Sequence, residues 1–182
     1  PIILAIIILI LLSTTIVSIL LTKRIRYSHI LQKQLFTDSL TNLLSKDGFD
    51  WLLSKKLEKS SCDTYTLISF DIRHFEHFNA LFGFSAGDEL LKNIARICTK
   101  FCPKDELCAH LNSDHFVLLI NEKLVRAEDI IENIKKEIQS LYSNYKIFIN
   151  FGVYRLSNGI AEPAKMRDYS NAALRTVKSS ST

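Results

Sequence analysis

The chain has 182 residues and a formal net charge of +4, from 23 Lys+Arg against 19 Asp+Glu. The excess lies on one short segment, because residues 1–36 contain four basic residues and no acidic one, whereas the remainder carries equal numbers of both signs. A nucleic-acid-binding domain usually carries its positive excess on its own folded surface. The charge distribution therefore argues against a nucleic-acid partner.

The first 21 residues include 16 apolar ones and no charge. About 20 helical residues are enough to cross a hydrocarbon core of ~30 Å, so this stretch predicts a transmembrane helix in the lipid bilayer. A buried core helix is one alternative, and a cleaved signal peptide is another, although no basic segment precedes the apolar run. Lys23, Arg24 and Arg26 follow directly. Positive residues favour the cytoplasmic side, so we expect the folded domain on the cytoplasmic face of the inner membrane.

Residues 22–37 predict a basic juxtamembrane helix. Its apolar side chains either pair with a second copy of the chain or lie beside the lipid, and they are Ile25, Leu31, Leu35 and Phe36. Residues 38–178 suffice for one domain with its own core. Residues 179–182 are interpreted as a linker or as the point where a fragment was cut.

Hydrophobic periodicity divides the folded part into helices and strands. Helices are predicted at 45–59, 73–82, 86–101, 127–142 and 163–178, and strands at 65–72, 107–111, 116–120 and 145–156. Gly83 ends one helix, Ser85 is a possible cap of the next, and residues 112–115 form a hairpin turn. The order predicts an α/β domain with a mixed, largely antiparallel central sheet covered by helices.

The four cysteines are predicted to be small buried thiols rather than metal ligands. Zinc sites usually contain paired C-x2-C knuckles and a fourth ligand, which the spacing of Cys62, Cys98, Cys102 and Cys108 does not provide. A cytoplasmic location also favours reduced thiols over disulfides.

Two aspartates could carry chemistry. Asp71 ends a predicted buried strand, and an unpaired buried carboxylate costs several kcal/mol or more. Asp114 lies in the hairpin turn, and if the two strands are neighbours the two carboxylates come close enough to bind Mg²⁺. The alternative is structural: Asp71 caps the following helix and Asp114 is a turn residue.

Four landmarks in order resemble the GGDEF family, the diguanylate cyclases. Asp38-Ser-Leu-Thr-Asn-Leu43 resembles the D-x-L-T-G-L of that family, and the stretch from Asp71 to Asp88 resembles D-x-D-x-F-K-x-x-N-D-x-x-G-H-x-x-G-D. Asn112-Ser-Asp-His-Phe116 occupies the place of G-G-D-E-F, and residues 171–178 resemble the closing A-D-x-A-L-Y-x-A-K helix. The resemblance covers residues 37–178 and implies a nucleotide-cyclase-like fold.

The resemblance also implies a chemistry. In the family, two domains form a homodimer, each holds one GTP, and Mg²⁺ assists formation of cyclic-di-GMP and pyrophosphate. By position, Asp71 and Asp114 match the metal-binding carboxylates and the Ile72 carbonyl a further ligand. The matching nucleotide contacts are Asn79 and Asp88 for guanine, Phe75 as a pocket aromatic, and Lys178 for phosphate.

Several residues depart from the family pattern at the phosphate-binding positions. Asn112 and Ser113 replace the hairpin glycines, which let a backbone approach phosphate closely. His115 replaces the hairpin glutamate, Glu76 replaces a phosphate-binding lysine, and Arg73 replaces the second aspartate of D-x-D.

Other family features are missing elsewhere. Phe84 replaces a histidine, Thr182 stands where the family has an arginine, and the product-inhibition motif R-x-x-D would fall on Pro103 and Glu106. The base-recognition residues thus persist, whereas most phosphate-binding residues are lost.

Three functions remain open from the sequence. The first is a catalytically weak or inactive GGDEF-type domain that binds GTP, dimerises and acts as a regulatory module, as degenerate domains of this family do when they precede an EAL phosphodiesterase domain. The second is a working cyclase that tolerates the altered hairpin. The third is a structural dimer module that binds no nucleotide.

Overall fold

The computed structural model of the chain describes residues 2–59, 64–142, 145–156 and 162–179, and for residues 4–10, 28–34, 59 and 176–179 it describes the backbone alone. The helices are α1 (Ile2–Phe36), α2 (Lys46–Lys59), α3 (Phe75–Phe82), α4 (Phe84–Phe101), α5 (Ala127–Leu141) and α6 (Pro163–Ser179). The strands are β1 (Tyr65–Ile72), β2 (Leu107–Asn112), β3 (His115–Asn121) and β4 (Ile149–Arg155).

The chain divides into two compact units, Pro1–Leu35 and Phe36–Thr182. The first unit consists of α1, which runs as one helix through both the predicted membrane span and the predicted juxtamembrane helix. No helix in the described part of the chain is both long and apolar enough to cross a membrane, so the predicted span at residues 1–21 gains no support from the structure.

The second unit contains a four-stranded sheet in the order β2-β3-β1-β4. The three strand pairs are all antiparallel, and the one parallel contact is an isolated bridge between Leu44 and Ala109. The predicted α/β architecture with a largely antiparallel sheet and covering helices is therefore confirmed.

Strand β1 is buried along its whole length because helices cover both faces of the sheet. Successive side chains of a strand point to opposite faces. Ile68, Phe70 and Ile72 join the core formed with α3, α4 and α5, whereas Tyr65 and Leu67 join the core formed with α2 and α6. Asp71 follows Tyr65 and Leu67 at the same spacing of two residues along β1. Its carboxylate therefore lies on the face of the sheet that α6 covers.

The element ends differ from the predicted ones where the backbone takes left-handed conformations. His74 has φ 58° and precedes α3, which therefore begins at Phe75 rather than at Arg73. Gly83 has φ 87° and separates α3 from α4, which starts at Phe84. Ser85 consequently lies inside α4, and the prediction that it caps this helix is wrong.

The hairpin strands are longer than predicted, and β4 is shorter. β2 extends to Asn112 and β3 begins at His115, which leaves a two-residue turn. β4 begins at Ile149 because residues 146–148 pair in no regular ladder. The predicted turn at residues 157–159, Cys62, Thr182 and the side chains of Leu31 and Lys178 lie outside the described residues.

The three described cysteines are free thiols. Cys98 is buried, and Cys102 and Cys108 are half-buried. Burial and the neighbouring Cys108 raise the pKa of the Cys102 thiol to about 12, which makes it a poor nucleophile at neutral pH.

Candidate functional site

The β2–β3 hairpin brings Asp114 to the end of β1. Asn112 pairs with His115, so Ser113 and Asp114 form the turn. The backbone N–H of Ile72 donates to Asp114 Oδ2 at 3.0 Å. The structure thus places Asp114 beside Ile72, two of the three residues that the resemblance assigns to metal binding.

Asp71 is the third member of this set and is held from the other side. It is only 5% exposed, and Asn150 Nδ2 donates to its Oδ1 at 2.9 Å. Asn150 is its neighbour on β4 in the antiparallel register. The residue that precedes α3 is His74, so Asp71 does not cap this helix and the structural alternative for it is wrong.

The residues that the resemblance assigns to metal binding suit Mg²⁺ chemically. Carboxylate and carbonyl oxygens are the ligands that Mg²⁺ prefers, and one oxygen of each aspartate is fixed by a hydrogen bond. No cluster of three or more His, Cys, Asp or Glu side chains in the described ranges is arranged to hold a metal ion by itself. The two carboxylates would therefore need phosphate oxygens and water to complete a coordination shell.

A concavity of about 230 Å³ opens beside this hairpin. Its lining combines hairpin residues with the start of α3: Ile72, His74, Phe75, Glu76, His77, Ser113 and Asp114. Two carboxylates and two imidazoles thus surround it, and Arg73 Nε donates to His74 Nε2 at 3.3 Å. Among the side chains that the structure describes, no lysine lines this space, where the family resemblance places the phosphates.

Ser113 carries backbone strain in this concavity. Its φ is 47°, in the left-handed region, which costs about 1 kcal/mol or more for a residue with a Cβ. Of the two residues that replace the hairpin glycines, the structure thus puts the left-handed conformation on serine rather than on the more tolerant Asn112.

The residues assigned to guanine binding meet between α3 and α4. Asn79 lies on α3, and its Oδ1 atom is buried without a hydrogen-bond partner in the described part of the chain. A Cβ added at Gly87 would lie 1.9 Å from Asn79 Oδ1 and 3.2 Å from Phe75 Cζ. Asp88 follows Gly87 on the exposed side of α4. Only a glycine at position 87 leaves room for the amide of Asn79.

We expect Gly87→Ala to weaken nucleotide binding without unfolding the protein. The new Cβ displaces the flexible Asn79 amide rather than backbone, so the recognition hydrogen bonds are lost and binding falls about 10-fold or more. Calorimetry with GTP measures the loss, and Ala95→Gly, elsewhere on α4, is the control. If a folded Gly87→Ala variant binds GTP as tightly as the unaltered chain, Asn79 does not take part in base recognition.

Three further positions from the family resemblance lie on α6, directly before β2 and at the start of α4. Lys178 lies on α6, but only its backbone is described. Glu106, at the position of the absent product-inhibition motif, forms an ion pair with Lys56 at 3.1 Å. Phe84 opens α4 and is exposed, with no described contact that replaces the family histidine.

Sequence reasoning did not find three residues that shape this site. Asn150 holds Asp71 from a strand 79 residues away, and no local pattern predicts that pairing. His74 and His77 line the concavity because His74 takes a left-handed conformation. The one available signal was the position of His74, two residues after the end of a buried strand.

The end of the antiparallel sheet thus places Asp71 on β1 and Asp114 directly before the neighbouring strand β3, next to the Ile72 backbone. Residues 35–182 match the family described as diguanylate cyclase, GGDEF domain. The chain therefore belongs to the GGDEF family, whose domains act in cyclic-di-GMP signalling.

Curated relatives agree with this membership. The cyclic di-GMP phosphodiesterase PdeB of Shewanella oneidensis is 28% identical over 131 residues, which is 69% of this chain and 15% of that protein. Diguanylate cyclase A of Treponema denticola is 26% identical over 128 residues, 64% of this chain and 34% of that protein. The chain thus spans only a minor part of these relatives.

Solved structures share the fold. The coiled coil and GGDEF domain of DgcB from Caulobacter crescentus, in complex with c-di-GMP, aligns with a TM-score of 0.75 at 20% identity and covers 93% of this chain and 95% of that one. The diguanylate cyclase SiaD from Pseudomonas aeruginosa, in complex with its activator SiaC, aligns with a TM-score of 0.71 at 22% identity, covering 93% and 68%.

Proposed function

We propose that this chain is a degenerate GGDEF domain that binds guanine nucleotide but has lost cyclase activity. One observation carries the proposal. Glu76 and Ser113 line the concavity beside Asp114, whereas the side-chain amide of Asn79 lies close to Gly87. The base-recognition end of the site is thus preserved and the phosphate end is altered.

The altered phosphate end accounts for the loss of catalysis. Phosphoryl transfer depends on positive charge and N–H donors placed at the developing negative charge. Glu76 brings negative charge to the concavity, and Ser113 adds side-chain atoms where the family has glycine. Each lost stabilising group lowers the rate roughly 100-fold or more, so several together lower it by many powers of ten.

Mg²⁺ would be held by the Asp71 and Asp114 carboxylates and the Ile72 carbonyl. When bound, the ion neutralises phosphate charge. Asn150 keeps the Asp71 carboxylate in place, and the Ile72 N–H does the same for Asp114. By the family resemblance, Asn79 and Asp88 would contact the base, Phe75 would line the pocket beside it, and Lys178 would contact phosphate.

The proposal is tested by two measurements on the purified full chain. Calorimetry with GTP and Mg²⁺ should detect binding, and incubation under the same conditions should give no cyclic-di-GMP. Asn79→Ala and Asp88→Ala should each weaken binding about 10-fold or more, because each removes polar contacts to the base. Glu89→Ala, the neighbouring exposed acid on α4, is the control and should bind normally.

The two alternatives give different results in these measurements. Clear turnover of GTP to cyclic-di-GMP identifies a working cyclase and overturns the proposal. No heat of binding up to millimolar GTP identifies a structural dimer module without nucleotide.

Membrane anchoring, dimerisation and a neighbouring domain are further parts of the proposal. The apolar residues 1–21 and the basic residues after them support anchoring in the inner membrane with the domain in the cytoplasm, and the family supports a homodimer. A regulatory role beside a C-terminal EAL domain is consistent with PdeB, a phosphodiesterase, being among the relatives. Membrane fractionation and cross-linking of the full-length protein test the anchor and the dimer.

A further inference from the structure

His110 connects two parts of the second unit that are far apart in the sequence. It lies on β2 and is 5% exposed. Its Nδ1 is 3.0 Å from Asp38 Oδ1, and its Nε2 is 2.8 Å from the Ser113 carbonyl oxygen. Asp38 belongs to the turn that follows α1, and Ser113 precedes Asp114 in the hairpin. One buried imidazole therefore bridges the start of the domain and the proposed nucleotide site.

Both partners of the imidazole are hydrogen-bond acceptors. The Ser113 carbonyl oxygen can only accept, so Nε2 must carry a proton. Burial raises the pKa of the Asp38 carboxyl, but hydrogen bonds from the Thr41 hydroxyl and from His110, together with the Thr41 N–H, outweigh burial and leave this pKa below its usual value. Both contacts of the ring are therefore made to oxygen atoms that accept hydrogen bonds, the Asp38 carboxylate and the Ser113 carbonyl.

The surrounding contacts fix this ring and its backbone. The ring stacks on Phe116 with centroids 4.6 Å apart and an angle of 28° between the planes. The backbone N–H of His110 donates to the Leu44 carbonyl at 3.0 Å, and the Leu44 N–H donates to Cys108 at 3.3 Å. The backbone hydrogen bonds of Leu44 and the side-chain contact of Asp38 thus both attach residues 38–44 to β2.

The Nε2 hydrogen bond falls on a strained residue. Ser113 has φ 47°, a left-handed conformation that is strained outside glycine. The hydrogen bond from His110 Nε2 to its carbonyl helps to hold the turn in this conformation. Because Asp114 is the next residue, the orientation of its carboxylate towards Ile72 depends on how this turn is held.

We propose that His110 is a positioning residue: its imidazole ties the turn at residues 38–41 to the hairpin turn and holds Asp114 in place. A displacement of Asp38 is transmitted through this ring to the Ser113 carbonyl and from there to Asp114. The effect on nucleotide binding rests on the proposed function, but the effect on the hairpin does not.

The hydrogen bond from the ring to the hairpin is measured directly on the full chain. Nitrogen-15 NMR of histidine-labelled protein at pH 7 should show a proton on Nε2 of His110, because the Ser113 carbonyl can only accept. A spectrum in which Nε2 carries no proton would overturn the proposal. This measurement needs no variant and is therefore independent of any effect of substitution on folding.

Hydrogen exchange tests the positioning role. His110→Phe keeps the ring stacked on Phe116 but removes both ring nitrogens, and it should speed amide exchange at residues 112–116 about 10-fold or more. His110→Arg keeps N–H donors at this position and should restore slow exchange, whereas Asp38→Asn should speed it. Equal hairpin exchange in His110→Phe and wild type, at matched global stability, would sink the proposal.

Calorimetry with GTP and Mg²⁺ then separates this inference from the proposed function. If wild type binds GTP, His110→Phe should bind it about 10-fold more weakly and His110→Arg should recover most of the loss. If wild type binds no GTP while the spectra and the exchange rates behave as expected, the proposed function fails and the role of His110 stands.

Discussion

Replacing Glu76 with lysine and both Asn112 and Ser113 with glycine is expected to raise cyclic-di-GMP synthesis by at least roughly 100-fold over the unaltered chain. Lysine puts a positive charge in the concavity in place of a carboxylate. Glycine at position 113 relieves the left-handed strain at φ 47° and removes the side-chain atoms. Turnover of GTP by the full chain, measured by chromatography of the product, checks the gain.

Two controls separate chemistry from charge in this experiment. Glu89→Lys, on the exposed face of α4, makes the same change of charge away from the concavity and should give no gain. Adding Asp71→Asn to the triple variant removes a proposed metal ligand and should abolish the gain. A triple variant that folds and binds GTP but shows no increase would contradict this account and place the defect at Arg73 or His115.

Periodicity predicted the folded unit well where apolar side chains are buried on one or both faces. α4 and α5 have regularly spaced buried residues, among them Leu90, Ile94, Ile130 and Ile134. β1 is buried on both faces and appears in the sequence as a continuous run of strand-forming residues. Burial of apolar side chains determines these elements, and the spacing of those apolar residues can be recognised within a short stretch of sequence.

Element ends were harder to predict, because single backbone conformations set them. His74 and Gly83 take positive φ values, and these two residues alone shift the starts of α3 and α4. Residues other than glycine are uncommon in this conformation, although histidine is among the more tolerant ones, and no glycine stands next to His74 to indicate a turn. Ser85 resembled a cap, yet Gly83 had already ended the preceding helix.

The candidate site was predictable only in part for a related reason. The proximity of Asp114 to the end of β1 followed from the hairpin prediction and the family resemblance. The hydrogen bonds that hold the site join residues that are distant in sequence: Asp71 to Asn150, and Asp38 through His110 to Ser113. Strand register and close packing bring these partners together, and neither can be derived from a single sequence.

Gly152→Ala is expected to lower the free energy of unfolding by about 3 kcal/mol or more. A Cβ at this position of β4 would lie 2.5 Å from both the Leu174 backbone nitrogen and the Ser170 carbonyl oxygen. Both atoms belong to the backbone of α6, so no side-chain rotation relieves the contact and the helix must move away from the sheet. Burial of Leu174 and Met166 is then reduced.

Gly83→Ala is the matched control, and it separates close packing from backbone strain. No heavy atom lies within 4 Å of a Cβ at Gly83, although its φ is 87°. At φ 87° and ψ 158°, a backbone region that residues with a Cβ almost never adopt, alanine should cost about 1–3 kcal/mol, from strain alone. Urea denaturation of both variants measures the difference, and equal losses would show that α6 is not packed closely on β4. Because Asn150 shares a sheet face with Gly152, displacement of α6 should also loosen the Asp71 carboxylate and weaken GTP binding.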